Sequence, residues 1–237
     1  MSVMKPGRET TKCRVVYLSN LCERDSSNSV TLCHNQVIHS GPNLNKKLTT
    51  SLLLLRFDKF VLIFDIKKAF LNIALSEIDQ SRLLLLWFKN VQCNNFEIVA
   101  YKAKRLPFGI SCSPAILMLA LYKILMLDVE LDSPAILNLK KLVYSLIYMD
   151  NGVCTSNSIE DLYVSYPELV KVFESYKFSL QQFITNCPSL QVRLDAETAA
   201  VPTPVETKLF GIVWNRENDT IYAQKIHLNS DANTKRS

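Results

Sequence analysis

A chain of 237 residues, 48% hydrophobic and 21% charged, can bury a sizeable core as one large or two small domains, which excludes a disordered or low-complexity protein. Its net charge of +5 favours a polyanionic partner only weakly, and solvated faces explain most of its lysine doublets, Lys140-Lys141 among them. Seven cysteines without a C-x-x-C pair and three histidines exclude a zinc framework, while the polar opening and the short apolar runs predict reduced thiols in a cytosolic or nuclear chain, neither secreted nor membrane-spanning.

Residues 1–12 read as a flexible lead-in, and Cys13-Arg14-Val15-Val16-Tyr17-Leu18 as a strand candidate before a polar loop over 22–29. Gly41-Pro42-Asn43 punctuates the approach to a leucine-patterned helix over 45–57. Phe60-Val61-Leu62-Ile63-Phe64 is a continuous apolar run, the pattern of a strand buried on both faces, and Asp65 closes it. A carboxylate there is costly to desolvate unless it is paired or metal-bound. Residues 81–88 and 96–103 predict a strand pair joined through Asn94-Asn95. The loop from Leu106 then runs into a helix over 114–130, with Ser113 as its cap and Pro114 in its first turn. That helix is apolar nearly all round, which predicts burial.

The run Leu142-Val143-Tyr144-Ser145-Leu146-Ile147-Tyr148 is β-prone and ends in Met149-Asp150-Asn151-Gly152, followed by Val153-Cys154. This predicts a β-hairpin whose tip residues tolerate positive φ. Turn conformation alone explains Asp, Asn and Gly there. The tip nonetheless lifts Asp150 clear of a sheet, as the strand end does Asp65. Two such carboxylates side by side would repel, and a pair of Mg²⁺ ions neutralises them, an arrangement suited to nucleotidyl transfer. Spacing does not make the two strands neighbours. A helix over 159–176 capped by Ser158, a last hairpin from 209–214 and 220–223 around Asn218-Asp219, and a polar tail complete the chain. The order β-α-β-β-α-β predicts an α+β fold, a split βαβ (ferredoxin-like) sheet with helices on one face.

Three segments in order, Phe64-Asp65-Ile66-Lys67-Lys68-Ala69-Phe70, Leu106-Pro107-Phe108-Gly109-Ile110-Ser111-Cys112-Ser113-Pro114-Ala115 and Tyr148-Met149-Asp150-Asn151, resemble the first three palm motifs of retroelement reverse transcriptases. Thr11-Lys12-Cys13-Arg14-Val15-Val16-Tyr17 resembles the preceding fingers motif. His39-Ser40-Gly41-Pro42-Asn43-Leu44, Phe183-Ile184-Thr185-Asn186 and Lys208-Leu209-Phe210-Gly211-Ile212-Val213-Trp214-Asn215 resemble the BEL/Pao class of LTR retrotransposons. The likeness spans 11–223.

The resemblance implies a reverse-transcriptase-like palm with partial fingers and a thumb that is short or absent. Residues 13–60 would be part of the fingers, 61–225 the palm with an interleaved fingers segment, and 226–237 a polar tail. Asp65 and Asp150 would be the catalytic, metal-binding carboxylates, using two Mg²⁺ ions, or Mn²⁺ in their place. Asn151 would be a weak third ligand, where most of the family carries a second acid. Phe70 would exclude a 2′-hydroxyl. Phe108 and Gly109 would lie over the nucleotide, with Lys12 and Arg14, alternate residues on a strand, reaching its triphosphate. Phe210, Gly211 and Ile212 would hold the primer end. The implied function is RNA-directed DNA polymerase, working on deoxynucleoside triphosphates and a primed RNA or DNA template. The implied setting is a polyprotein with RNase H and integrase, no membrane, and a virus-like particle in the cytoplasm, or the nucleus. Asn151 and the missing companion motifs support the alternative, a catalytically inactive remnant that at most binds nucleic acid.

Overall fold

The computed structural model describes residues 2–4, 13–20, 33–89, 97–198 and 204–223. Its elements run β1 (Ser2–Met4), β2 (Cys13–Val15), α1 (His34–Val37), α2 (Leu48–Leu54), β3 (Phe60–Ile66), α3 (Glu77–Arg82), β4 (Leu84–Lys89), β5 (Glu97–Lys102), α4 (Ser113–Tyr122), α5 (Pro134–Leu146), β6 (Asn151–Ser156), α6 (Ile159–Ser175), β7 (Leu180–Thr185), α7 (Pro188–Thr198), β8 (Glu206–Leu209), β9 (Ile212–Asn215) and β10 (Thr220–Tyr222). Ser2–Met4, inside the stretch expected as a lead-in, is a strand paired with β2.

β3 is the centre of the molecule, hydrogen-bonded antiparallel to β6 on one side and β7 on the other. Val61 to Phe64 are all buried, as the unbroken apolar run predicts. Alternation sends Leu62, Phe64 and Ile66 into a core with Leu117 and Leu121 of α4 and Leu162, Leu169 and Phe173 of α6. It sends Val61 and Ile63 into a second core with Leu55, Leu146, Val153, Leu209 and Trp214. Each such side chain taken from water contributes about 1.5–3 kcal/mol. Helices therefore do not cover one face alone. The β8–β10 sheet and the end of α5 close the other, because β3 has no polar face to leave in water.

Several expected bounds shift for local reasons. Ser81 and Arg82 belong to α3, whose cap Ser76 accepts from the Asp79 N–H, so the first strand of the expected pair begins at Leu84. Ser113 is the first residue of α4 rather than its cap, and its hydroxyl donates to the Pro107 carbonyl at 2.8 Å. α4 continues only as a π turn to Leu127. Lys140 is not on a solvated face. It is 3% exposed, its Nζ lies 2.7 Å from Asp132 Oδ2, and it donates to the Asp128 carbonyl at 2.8 Å, tying the end of the π turn to α5. The helix over 159–175 and its Ser158 cap, which accepts from the Asp161 N–H, match expectation.

Candidate active site

Asp65 is the penultimate residue of β3, half-buried, and the ladder places it opposite Asn151, the first residue of β6. Asp150 precedes Asn151, and its carbonyl accepts the Ile66 N–H at 2.7 Å. The two acids thus lie at the same end of adjacent strands, a neighbourhood that spacing in the sequence does not reveal. The Asp150 carboxylate accepts a hydrogen bond from Asn151 Nδ2 at 3.2 Å, and the Asp65 carboxylate accepts one from Gln181 Nε2 at 2.8 Å.

The turn that carries Asp150 is not the expected strand hairpin. Residues 142–146 are the end of helix α5, which starts at Pro134 with Ser133 as its cap. Tyr148 and Asn151 then exchange two backbone hydrogen bonds, at 2.9 and 3.0 Å, leaving Met149 and Asp150 alone in the turn. The positive φ falls on Met149, at 56°, rather than on Asn151 or Gly152. Such a conformation costs a non-glycine residue about 1–3 kcal/mol and persists where the surroundings hold it. Gly152 is needed for another reason. It pairs with Phe64, and a Cβ there would lie 2.2 Å from the Phe64 ring.

A second group gathers beside this end of β3. After Lys68, at φ 51°, the chain makes a 3₁₀ turn, Ala69–Asn72, rather than a turn of α-helix. It sets the Phe70 ring edge-on to Phe108, with centroids 4.9 Å apart. Phe108 bridges to Val16 just past β2, so Arg14 lies two residues from that bridge, whereas Lys12 lies outside the described residues. Gly109 takes φ 98°, and a Cβ on it would lie 2.3 Å from the Tyr17 carbonyl oxygen. Asn35 clamps the loop, donating to the Gly109 carbonyl at 3.0 Å and accepting the Ser111 N–H at 2.9 Å. Neither Asn35 nor Gln181 stands out in the sequence, because no local pattern marks a side chain that acts across more than 70 residues.

In the third group, Phe210 and Gly211 interrupt the strand expected over 209–214, and Ile212 begins β9. Phe210 and Gly211, at φ 52° and 86°, form the two-residue turn between β8 and β9 that a right-twisted hairpin favours. The Phe210 ring meets the Tyr148 ring at 5.7 Å, which brings this turn against the one carrying Asp150. A groove of about 310 Å³ is lined by Met149 together with Gly41, Asn45, Ser111, Pro114 and Met118 among others. Asn45 Oδ1 and Ser111 Oγ are buried and have no hydrogen-bond partner among the described residues.

Two carboxylates and an amide oxygen are hard donors of the kind Mg²⁺ takes. Among the described residues no group of three or more His, Cys, Asp or Glu could hold a metal. Burial, with Asp58 and Asp161 nearby, pushes the thiol of Cys154, three residues beyond Asn151, up to about 12. Cys33 and Cys187 are likewise free and buried. Among the described residues no helix is long and apolar enough to cross a membrane.

Residues 3–183 match the family model described as reverse transcriptase (RNA-dependent DNA polymerase). A comparison with curated protein sequences gives no match. Among solved structures, a foamy viral protease-reverse transcriptase dRH in complex with double-stranded DNA matches 91% of this chain with a TM-score of 0.53 at 14% identity. The match spans 29% of that protein, under a third of its length.

Proposed function

Because the chain belongs to the reverse transcriptase (RNA-dependent DNA polymerase) family, we propose that it is the RNA-directed DNA polymerase domain of an LTR retrotransposon of the BEL/Pao class. The observation that carries the reading is the register that sets Asp65 opposite Asn151, with Asp150 tied by its carbonyl to Ile66. Residues 13–60 then supply part of the fingers, and 61–225 the palm with an interleaved fingers segment.

In this reading Asp65 and Asp150 hold Mg²⁺, with the Asn151 amide oxygen as a weaker ligand. Bound Mg²⁺ supplies the charge that neutralises a triphosphate and activates a primer 3′-hydroxyl. The chain's own residues orient and select. Phe70, braced by Phe108, stands against the sugar and leaves no room for a 2′-hydroxyl. Gly109, packed against Tyr17, seats the loop that lays Phe108 over the nucleotide, and Arg14 serves its phosphates. The Phe210–Gly211–Ile212 turn supports the primer strand beside Asp150.

One observation favours a second reading. Asn151 stands where a second acid is expected, and an amide binds Mg²⁺ more weakly than a carboxylate, which fits an inactive remnant that binds nucleic acid only. The two readings part in one assay, templated incorporation of a labelled deoxynucleotide opposite RNA, with Asp65→Asn alongside. The polymerase incorporates and Asp65→Asn does not. The remnant binds the primed template equally in both forms and incorporates nothing.

A further inference from the structure

β7 pairs with β3 in two registers. Leu62 and Ile63 face Thr185 and Ile184, whereas Asp65 and Ile66 face Gln181 and Leu180. Between these pairs β3 has one residue, Phe64, and β7 has two, Gln182 and Phe183. The extra residue makes a β-bulge on β7, and Gln182, at φ 55°, is its left-handed member. Had the first register continued, Asp65 would face Gln182, and Gln181 would lie on the opposite side of the sheet. The bulge therefore delivers Gln181 to the face Asp65 occupies, where its Nε2 donates to Asp65 Oδ2 at 2.8 Å.

We propose that Gln181 is a positioning residue for Asp65, seated by the bulge at Gln182 to fix the carboxylate for a divalent cation. The inference rests on the metal-binding reading of Asp65. An amide suits the task because it orients one carboxylate oxygen without neutralising the charge a cation needs. A lysine or arginine there would take that charge for itself. Hydrogen-bonded partners of ligating carboxylates orient them, and losing one weakens metal affinity about 10–100-fold. Bulges beside active sites re-aim side chains in this way. The left-handed Gln182 is strain that β7 bears next to Asp65.

The test is binding of Mn²⁺ alone to the full chain, followed by electron paramagnetic resonance, with thermal midpoints in chelator as the check on folding. Native protein binds, and Asp65→Asn loses most of that binding. Gln181→Ala, at a half-buried position, keeps the native midpoint and binds about 10–100-fold more weakly. Gln181→Lys binds more weakly still, because its ammonium competes with the ion. Native-like Mn²⁺ affinity in Gln181→Ala, with Asp65→Asn impaired, overturns the positioning role and leaves the metal site standing. Absence of Asp65-dependent binding in the native chain overturns the metal reading, and the positioning role with it.

Discussion

Asp65 and Asn151 face each other across the β3–β6 ladder, and Asn151 turns its amide Nδ2 onto the neighbouring Asp150 carboxylate at 3.2 Å. Where a second acid would add repulsion, this chain places a donor that relieves it. Asn151→Asp exchanges that hydrogen bond for a third negative charge. We predict a loss of about 1 kcal/mol in chelator, measured by urea unfolding, that shrinks in high salt and is offset by Mg²⁺. Equal stability in chelator would show that the Asn151–Asp150 contact contributes nothing.

The Phe70–Phe108 edge contact makes a further prediction. Truncation to Phe70→Ala opens the volume beside the sugar, so preference for deoxy- over ribonucleotides falls at least about tenfold in single-nucleotide incorporation. Phe108→Leu, which removes the brace but keeps bulk, lowers stability by about 0.5–1.5 kcal/mol. Unchanged discrimination in Phe70→Ala removes Phe70 from sugar selection.

Asn35 holds both the Gly109 carbonyl and the Ser111 N–H, so Asn35→Ala loosens the loop that carries Phe108. The expected outcome is a rise in KM for deoxynucleotide with kcat little changed, and a stability loss of about 1–3 kcal/mol. A fall in kcat at constant KM would place Asn35 elsewhere in the cycle.

Lys140 tests the helical half of the palm. Lys140→Ala leaves the Asp132 carboxylate buried without its ammonium partner and costs about 3–5 kcal/mol, measured by chemical denaturation. The double change Lys140→Met with Asp132→Leu recovers most of that loss. If Lys140→Ala unfolds like the native chain, the buried pair is not formed in solution.

The parts of the fold legible in the sequence are those set by short-range pattern. The Phe60–Phe64 run reads as a buried strand because nothing polar interrupts it, and Ser158 reads as a cap because the helix beyond it is amphipathic. Residues 142–147 mislead because a six-residue window of Leu, Val, Tyr and Ile has no period. Over the 13 residues from Pro134, with Leu139, Val143 and Leu146 at helical spacing behind a Ser133 cap, the period is plain. Asp65 and Asp150 are visible as candidates, yet their neighbourhood depends on strand pairing across 85 residues. Gln181 owes its place to a one-residue bulge, and no local signal in the sequence marks where a ladder slips.

The most direct measurement is extension of a DNA primer on an RNA template across a Mg²⁺ titration, comparing the native chain, Asn151→Asp and Asp150→Asn, each shown to be folded. We predict that the native chain extends at high Mg²⁺, that Asn151→Asp extends at lower Mg²⁺, and that Asp150→Asn extends at none. If neither the native chain nor Asn151→Asp extends the primer at any Mg²⁺ concentration, the polymerase assignment is wrong and the inactive remnant stands.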